Sequence, residues 1–115
     1  MSEETQVAET IIAQLGGFGR LKAMVGAFNF AKAENYVVFR FKGSRKFNML
    51  KVTLDLDDTY TVEFIKYSPS KSTATTVKKC SMIYCDMLVS LFEDTTGLYL
   101  NIPDLDRLIE KRHMS

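Results

Sequence analysis

Two cysteines, Cys80 and Cys85, and one histidine, His113, are the soft and imidazole groups that this 115-residue sequence offers. A structural zinc site takes four such ligands in paired short spacings. Zinc is therefore not expected, and the cysteines read as small hydrophobes. A Ser or Cys nucleophile needs a positioned base, most often histidine. His113 is followed by only two residues of the sequence, in a position expected to be solvated. Asp55, Asp57, Asp58 and Glu63 invite a metal-dependent nuclease reading. On a strand, however, Glu63 and Lys66 are three residues apart and face opposite sides, so they cannot share a metal and a water. Asp57 and Asp58 are better explained as turn residues. Gly16, Gly17 and Gly19 lack the Gly-Lys-Ser/Thr ending of a phosphate loop and follow a helical pattern, not a strand. No catalytic residue, metal or cofactor is expected.

One group of residues stands out. From Phe18 to Lys51 the charged residues are Arg20, Lys22, Lys32, Arg40, Lys42, Arg45, Lys46 and Lys51 against the single acid Glu34, a local charge of +7. The whole chain carries only +1, so any electrostatic function must come from local segregation. Basic side chains interleaved with an aromatic can hold single-stranded nucleic acid, the cations following phosphates and the ring stacking a base. Arg20, Lys22, Tyr36, Arg40, Lys42, Arg45, Lys46 and Lys51 are the candidate binding residues. The bland alternative is a solvated sheet face, where Lys and Arg also guard edges against aggregation.

The elements that must position these residues follow from periodicity. Val7, Ala8, Ile11, Ile12 and Leu15 recur at helical spacing, predicting a helix over 3–15 that stops at Gly16 and Gly17. Leu21, Ala23 and Val25 alternate with Arg20, Lys22 and Met24, predicting a short strand. Phe28 and Phe30 suggest another. In Tyr36 to Lys42, Val37, Phe39 and Phe41 point one way and Tyr36, Val38, Arg40 and Lys42 the other. Met49 to Leu56 and Thr59 to Tyr67 form a hairpin about Asp57 and Asp58. A three-residue loop sets Leu54 opposite Val62 and Leu56 opposite Tyr60, keeping both apolar rows on one face. Ser68 to Thr76 reads as a polar loop, with an edge strand suggested over 75–79. Ser81 caps a second helix with the stripe Tyr84, Met87, Leu88, Leu91 and Phe92, ended by Gly97. A short third helix is expected over about 104–112.

The expected fold is therefore α+β: one domain over 1–115, a mainly antiparallel sheet of about four strands, and helices packed on one face. Arg20, Lys22, Arg40 and Lys42 then share the open face. Val38, Met49, Ile65 and Tyr67 would be exposed there too, which predicts a homodimer. No secretory leader and no membrane-spanning run is expected, and two cysteines suit a reducing cytoplasm.

Leu15-Gly16-Gly17 running on through Lys22 to Ala27 and Asn29-Phe30 forms one familiar stretch. Tyr84 to Leu88, running on to Phe92 and through Gly97 to Tyr99, forms another. With Lys51 to Leu54, Asp58 to Tyr60 and Val62 to Phe64 between them, this pattern resembles a family of small uncharacterised proteins of tailed bacteriophages and related mobile elements. The resemblance implies expression in an infected bacterial cell, and it carries no reaction, cofactor or catalytic residue. Two functions are in view. The first is a non-enzymatic accessory protein that binds single-stranded DNA or RNA. The second is a protein-binding module that modulates a host enzyme or defence complex.

Overall fold

The structure is a computed structural model that describes residues 6–98 and 100. Helices α1 (Gln6–Gln14) and α2 (Phe18–Val25) precede strands β1 (Phe28–Lys32), β2 (Tyr36–Arg40), β3 (Met49–Leu54), β4 (Tyr60–Ser68) and β5 (Thr73–Ile83). A single 3-10 turn (Cys85–Met87) leads into α3 (Leu88–Thr96). The strands form one antiparallel sheet in sequence order, β1-β2-β3-β4-β5. The α+β expectation is met with five strands where about four were expected. The expected helix over 104–112 lies outside the described residues.

The core forms where two periodicities meet. Val37 and Phe39 of β2, Leu50 and Val52 of β3, and Tyr60, Val62 and Phe64 of β4 point to one face and are buried. Ala8, Ile11 and Ile12 of α1, Leu21 and Val25 of α2, and Leu88 and Phe92 of α3 join the same cluster. A line of ring contacts ties the layers together. Phe18 of α2 meets Phe30 of β1 at 4.5 Å, Phe30 stacks on Phe39 at 5.1 Å, Phe39 meets Phe41 at 6.4 Å, and Phe41 meets Phe92 of α3 edge-on at 5.2 Å. Tyr60 pins α1 to β4 by donating to Gln14 Oε1 at 2.7 Å. Burial raises the Tyr60 pKa, so the hydroxyl stays a neutral donor.

Residues 18–25 form a helix, not the expected strand. Leu21 and Val25 fit a period of two, but they are also one helical turn apart. Ala23, which a strand would turn inward, is exposed. Gly26 decides the outcome: it takes the left-handed conformation (φ 63°) and its N–H caps the carbonyl of Lys22 at 3.1 Å. Consequently Arg20 and Lys22 lie on a helix and not on the sheet.

The β3–β4 register also differs from the expected one. Leu54 pairs with Tyr60 and Val52 with Val62, so the connection spans residues 55–59. The shift is two residues, which preserves the inward face but leaves Leu56 fully exposed, not buried. Hydrogen bonds set this longer turn. Asp55 N donates to Thr59 O at 2.8 Å, and the Asp57 carboxylate accepts from Thr59 Oγ1 at 2.6 Å and Thr59 N at 3.2 Å. Those bonds, the hydroxyl first, hold the Asp57 pKa below its ordinary value. The stabilisation they give is complete above the ordinary carboxylate pKa and is lost as pH falls through the lowered one.

β5 is the second large departure. Residues 73–83 form an edge strand: the short edge strand suggested over 75–79 is present but extends at both ends, into the expected polar loop and through Ser81, which was expected to cap a helix. Four of the five residues from Thr73 to Val77 are β-branched, and β4 offers them a nine-residue edge to pair with. Two bulges interrupt the pairing, one between Phe64 and Ile65 and one between Tyr60 and Val62. Helix formation waits until after Ile83, so Tyr84 and Met87 of the expected stripe are exposed while Leu88 and Phe92 are buried.

Two outcomes are expected. Leu88→Ala removes a fully packed side chain and should cost about 2–5 kcal/mol in denaturant unfolding. Met82 sits in the second bulge at φ 59° and is 59% exposed. Met82→Gly should raise the unfolding free energy by ~1 kcal/mol, because the left-handed conformation is costly for a residue with a Cβ. A loss of stability would mean that the bulge is held by the methionine side chain.

Candidate nucleic-acid interface

The β2–β3 connection, residues 41–48, carries Lys42, Arg45 and Lys46. It is a built loop. Phe41 and Phe47 are buried at its two ends, with Phe47 against Phe64 at 5.4 Å. Ser44 Oγ accepts from Lys46 N and Phe47 N, both at 3.3 Å, tightening the tip. Lys42 N donates to Val25 O at 2.8 Å and Phe41 N to Asn48 O at 2.9 Å. Gly43 adopts φ 105°, a conformation strained for any residue with a Cβ, and the Leu98 side chain from the segment after α3 packs beside it.

Asn48 joins this loop to the end of β4. Its side-chain amide donates to Tyr67 O at 2.8 Å, and its carbonyl accepts from Tyr67 N at 2.7 Å. An amide side chain has the donor–acceptor pair of a peptide group and here extends the sheet ladder by one rung. Lys66 Nζ adds a bond to Arg45 O at 3.1 Å. The β4–β5 turn beside it carries Lys71. Arg40, Lys42, Arg45, Lys46, Lys66 and Lys71 thus gather at one end of the sheet. Residues 35–54 and 64–85, which build this end and the strands leading from it, contain no acid. Glu34, Asp55, Asp57 and Asp58 occupy the turns at the opposite end.

Arg40 is the most constrained of the six. Its guanidinium lies 4.8 Å from the Phe28 ring centre and 4.9 Å from that of Tyr67. Phe28 is its cross-strand partner on β1, and Tyr67 comes from β4 on the other side. Lys42 Nζ lies 5.4 Å from the same Phe28 ring. Aromatic faces attract cations by about 0.5–2 kcal/mol depending on desolvation.

The expected open-face patch is only partly assembled. Arg40, Lys42, Arg45 and Lys46 come together. Arg20 and Lys22 do not: they belong to α2, where Lys22 Nζ leans back over the Phe18 ring at 4.5 Å. Tyr36 lies at the far end of β2, four residues from Arg40, and Lys51 Nζ caps its ring at 4.6 Å. Lys51 pairs with Glu63, and Glu63 with Lys79, so the middle of the face is a mixed row. Lys66, Lys71, Phe28 and Tyr67 were missed as interface residues. The two acid-free runs, read across the β4–β5 hairpin, were the signal that could have found the lysines.

The apolar part of this face is largely covered within one chain. Ile65 is 7% exposed, and Val38, Met49 and Tyr67 are half-buried. The exposed apolar sheet that motivated a homodimer is therefore absent. Among the described residues no three His, Cys, Asp or Glu side chains group to hold a metal ion. Asp55 and Asp57 are engaged by Thr61 and Thr59. No described helix is long and apolar enough to cross a membrane.

Asn48→Ala should strand the N–H and carbonyl of Tyr67 and cost about 1–3 kcal/mol in denaturant unfolding. Faster amide exchange at Tyr67 should accompany the loss. Unchanged stability would mean that the loop is held by Phe41 and Phe47 alone. Comparison with family models, with curated proteins and with solved structures finds no match to this chain, so the chemistry of the basic end has to speak for its use.

Proposed function

We propose that this protein is a non-enzymatic nucleic-acid-binding protein that takes the phosphate backbone of single-stranded DNA or RNA at the basic end of its sheet, with little sequence preference. The observation that carries this reading is the convergence of Arg40, Lys42, Arg45, Lys46, Lys66 and Lys71 at an end built from acid-free runs of chain. Polyanion binding is driven by counterion release, for which several cations within one contact area are the requirement. Phe28 and Tyr67 beside them supply rings of the kind on which bases stack. The resemblance to small phage proteins would set this activity in the cytoplasm of an infected bacterium, as an accessory function.

Protein binding is the second reading, and one observation favours it. β5 is an eleven-residue edge strand whose residues 73–79 are all exposed. An extended segment of a partner could add to such an edge. Lys78, Lys79 and the two bulges oppose that use, since these are the features that keep edges unpaired. The basic end is therefore the preferred site.

Fluorescence anisotropy with a labelled twenty-nucleotide oligo-dT tests the proposal. Binding is expected at low salt, and the log–log salt slope should be about −3 to −4 for four to six phosphate contacts. Replacing Lys42 and Lys46 together with Ala should flatten the slope by about 1.4 without unfolding the protein. No binding by folded protein at about 50 mM salt and tens of micromolar concentration would overturn the reading.

A further inference from the structure

Among the described residues, Arg40 Nε is the one buried side-chain nitrogen or oxygen without a hydrogen-bond partner. No carboxylate pairs with the Arg40 guanidinium in the described structure. Its two flanking rings come from strands on opposite sides of β2, and the guanidinium carbon lies 4.8 and 4.9 Å from their centres. Nε is buried, but the residue as a whole is partly exposed, which leaves the terminal Nη groups to make bonds. A half-buried guanidinium with one unbonded, buried N–H and no opposite charge beside it carries a desolvation cost unless something compensates it. Stacking supplies part of that compensation. Lys42, two residues further along in the loop after β2, also lies over the Phe28 ring and adds a second positive charge at the same place.

We infer that Arg40, held between Phe28 and Tyr67 and supported by Lys42, is the fixed phosphate-reading residue of this surface, taking two oxygens of one internucleotide phosphate through its terminal Nη groups. The inference rests on the proposed nucleic-acid reading and makes it specific. The four other cations supply charge from long side chains that must be ordered on binding. Arg40 is already ordered by its rings, so it loses less entropy when it engages a phosphate. Its planar fork matches a phosphate's paired oxygens, and lysine's single ammonium does not. Arg40 thereby sets where the strand sits, and the loop and turn lysines hold the flanking phosphates.

The test compares the folded wild-type protein with Arg40→Lys, Arg40→Ala and Phe28→Leu. Labelled oligo-dT is the binding probe, and the Arg40 Nε–H resonance is followed by NMR. Arg40→Lys keeps the charge, so the salt slope should stay unchanged while affinity falls about tenfold, the loss of one charge-assisted bond. Arg40→Ala should also flatten the slope by about 0.7. Phe28→Leu should weaken binding with Arg40 intact, and it serves as the second variant if either arginine replacement fails to fold. The Nε–H resonance should move on adding oligo-dT and much less with millimolar inorganic phosphate, which separates a backbone site from a small-anion site. Wild-type binding equalled by Arg40→Lys would overturn the clamp while leaving nucleic-acid binding in place. A resonance that responds to inorganic phosphate, with no oligo-dT binding, would overturn both the single-strand reading and the internucleotide assignment. No response to either probe would overturn both as well.

Discussion

The alternation along β2 is the constraint on which the rest depends. Val37 and Phe39 must point into the core, and Phe41 continues their side just past the strand. Phe39 alone bridges the ring contacts that reach α2 through Phe30 and α3 through Phe41. A strand has only two faces, so burying that row turns Tyr36, Val38 and Arg40 to the opposite side. The core thus dictates that a cation sits on the open face between two neighbouring strands. Phe28 and Tyr67 complete an arrangement that hydrophobic burial began.

Two kinds of connection translate this constraint into a shaped surface. The loop after β2 is fixed by burial at both ends, through Phe41 and Phe47. The junction with β4 is fixed by polar pairing through Asn48. Such a loop carries exposed cations without sharing their freedom, because its backbone groups are bonded to α2, β4 and itself. Stability and charge display are therefore separable: the residues that hold the loop are not those that face solvent.

The central strands were legible because each apolar row has an unambiguous period. β2, β3 and β4 appear near their expected bounds, with Leu50, Val52, Val62 and Phe64 inward. Where two periods share the same residues, reading failed: Leu21 and Val25 suit a strand and a helix equally, and the left-handed Gly26 settled the matter. β5 was hidden for another reason. An edge strand that buries almost nothing needs no apolar alternation, so only its middle, residues 75–79, was suggested and its two ends were read as loop and helix cap. The register at residues 55–59 was set by side-chain bonds of Asp55 and Asp57 that no hydrophobic pattern encodes. The candidate site was legible as charge and not as place. The excess of Lys and Arg was visible, but its gathering at a sheet end depends on a helix that was misread and an edge strand whose length was underestimated.

The separation of acidic turns from basic turns along the strand direction has a mechanical consequence. A molecule with a net charge of only +1 feels little pull from a distant polyanion, but its opposed ends feel a torque. It should rotate before it is drawn in, presenting the loop end first and the aspartate end last. Orientation, not attraction, is what this charge layout contributes at long range.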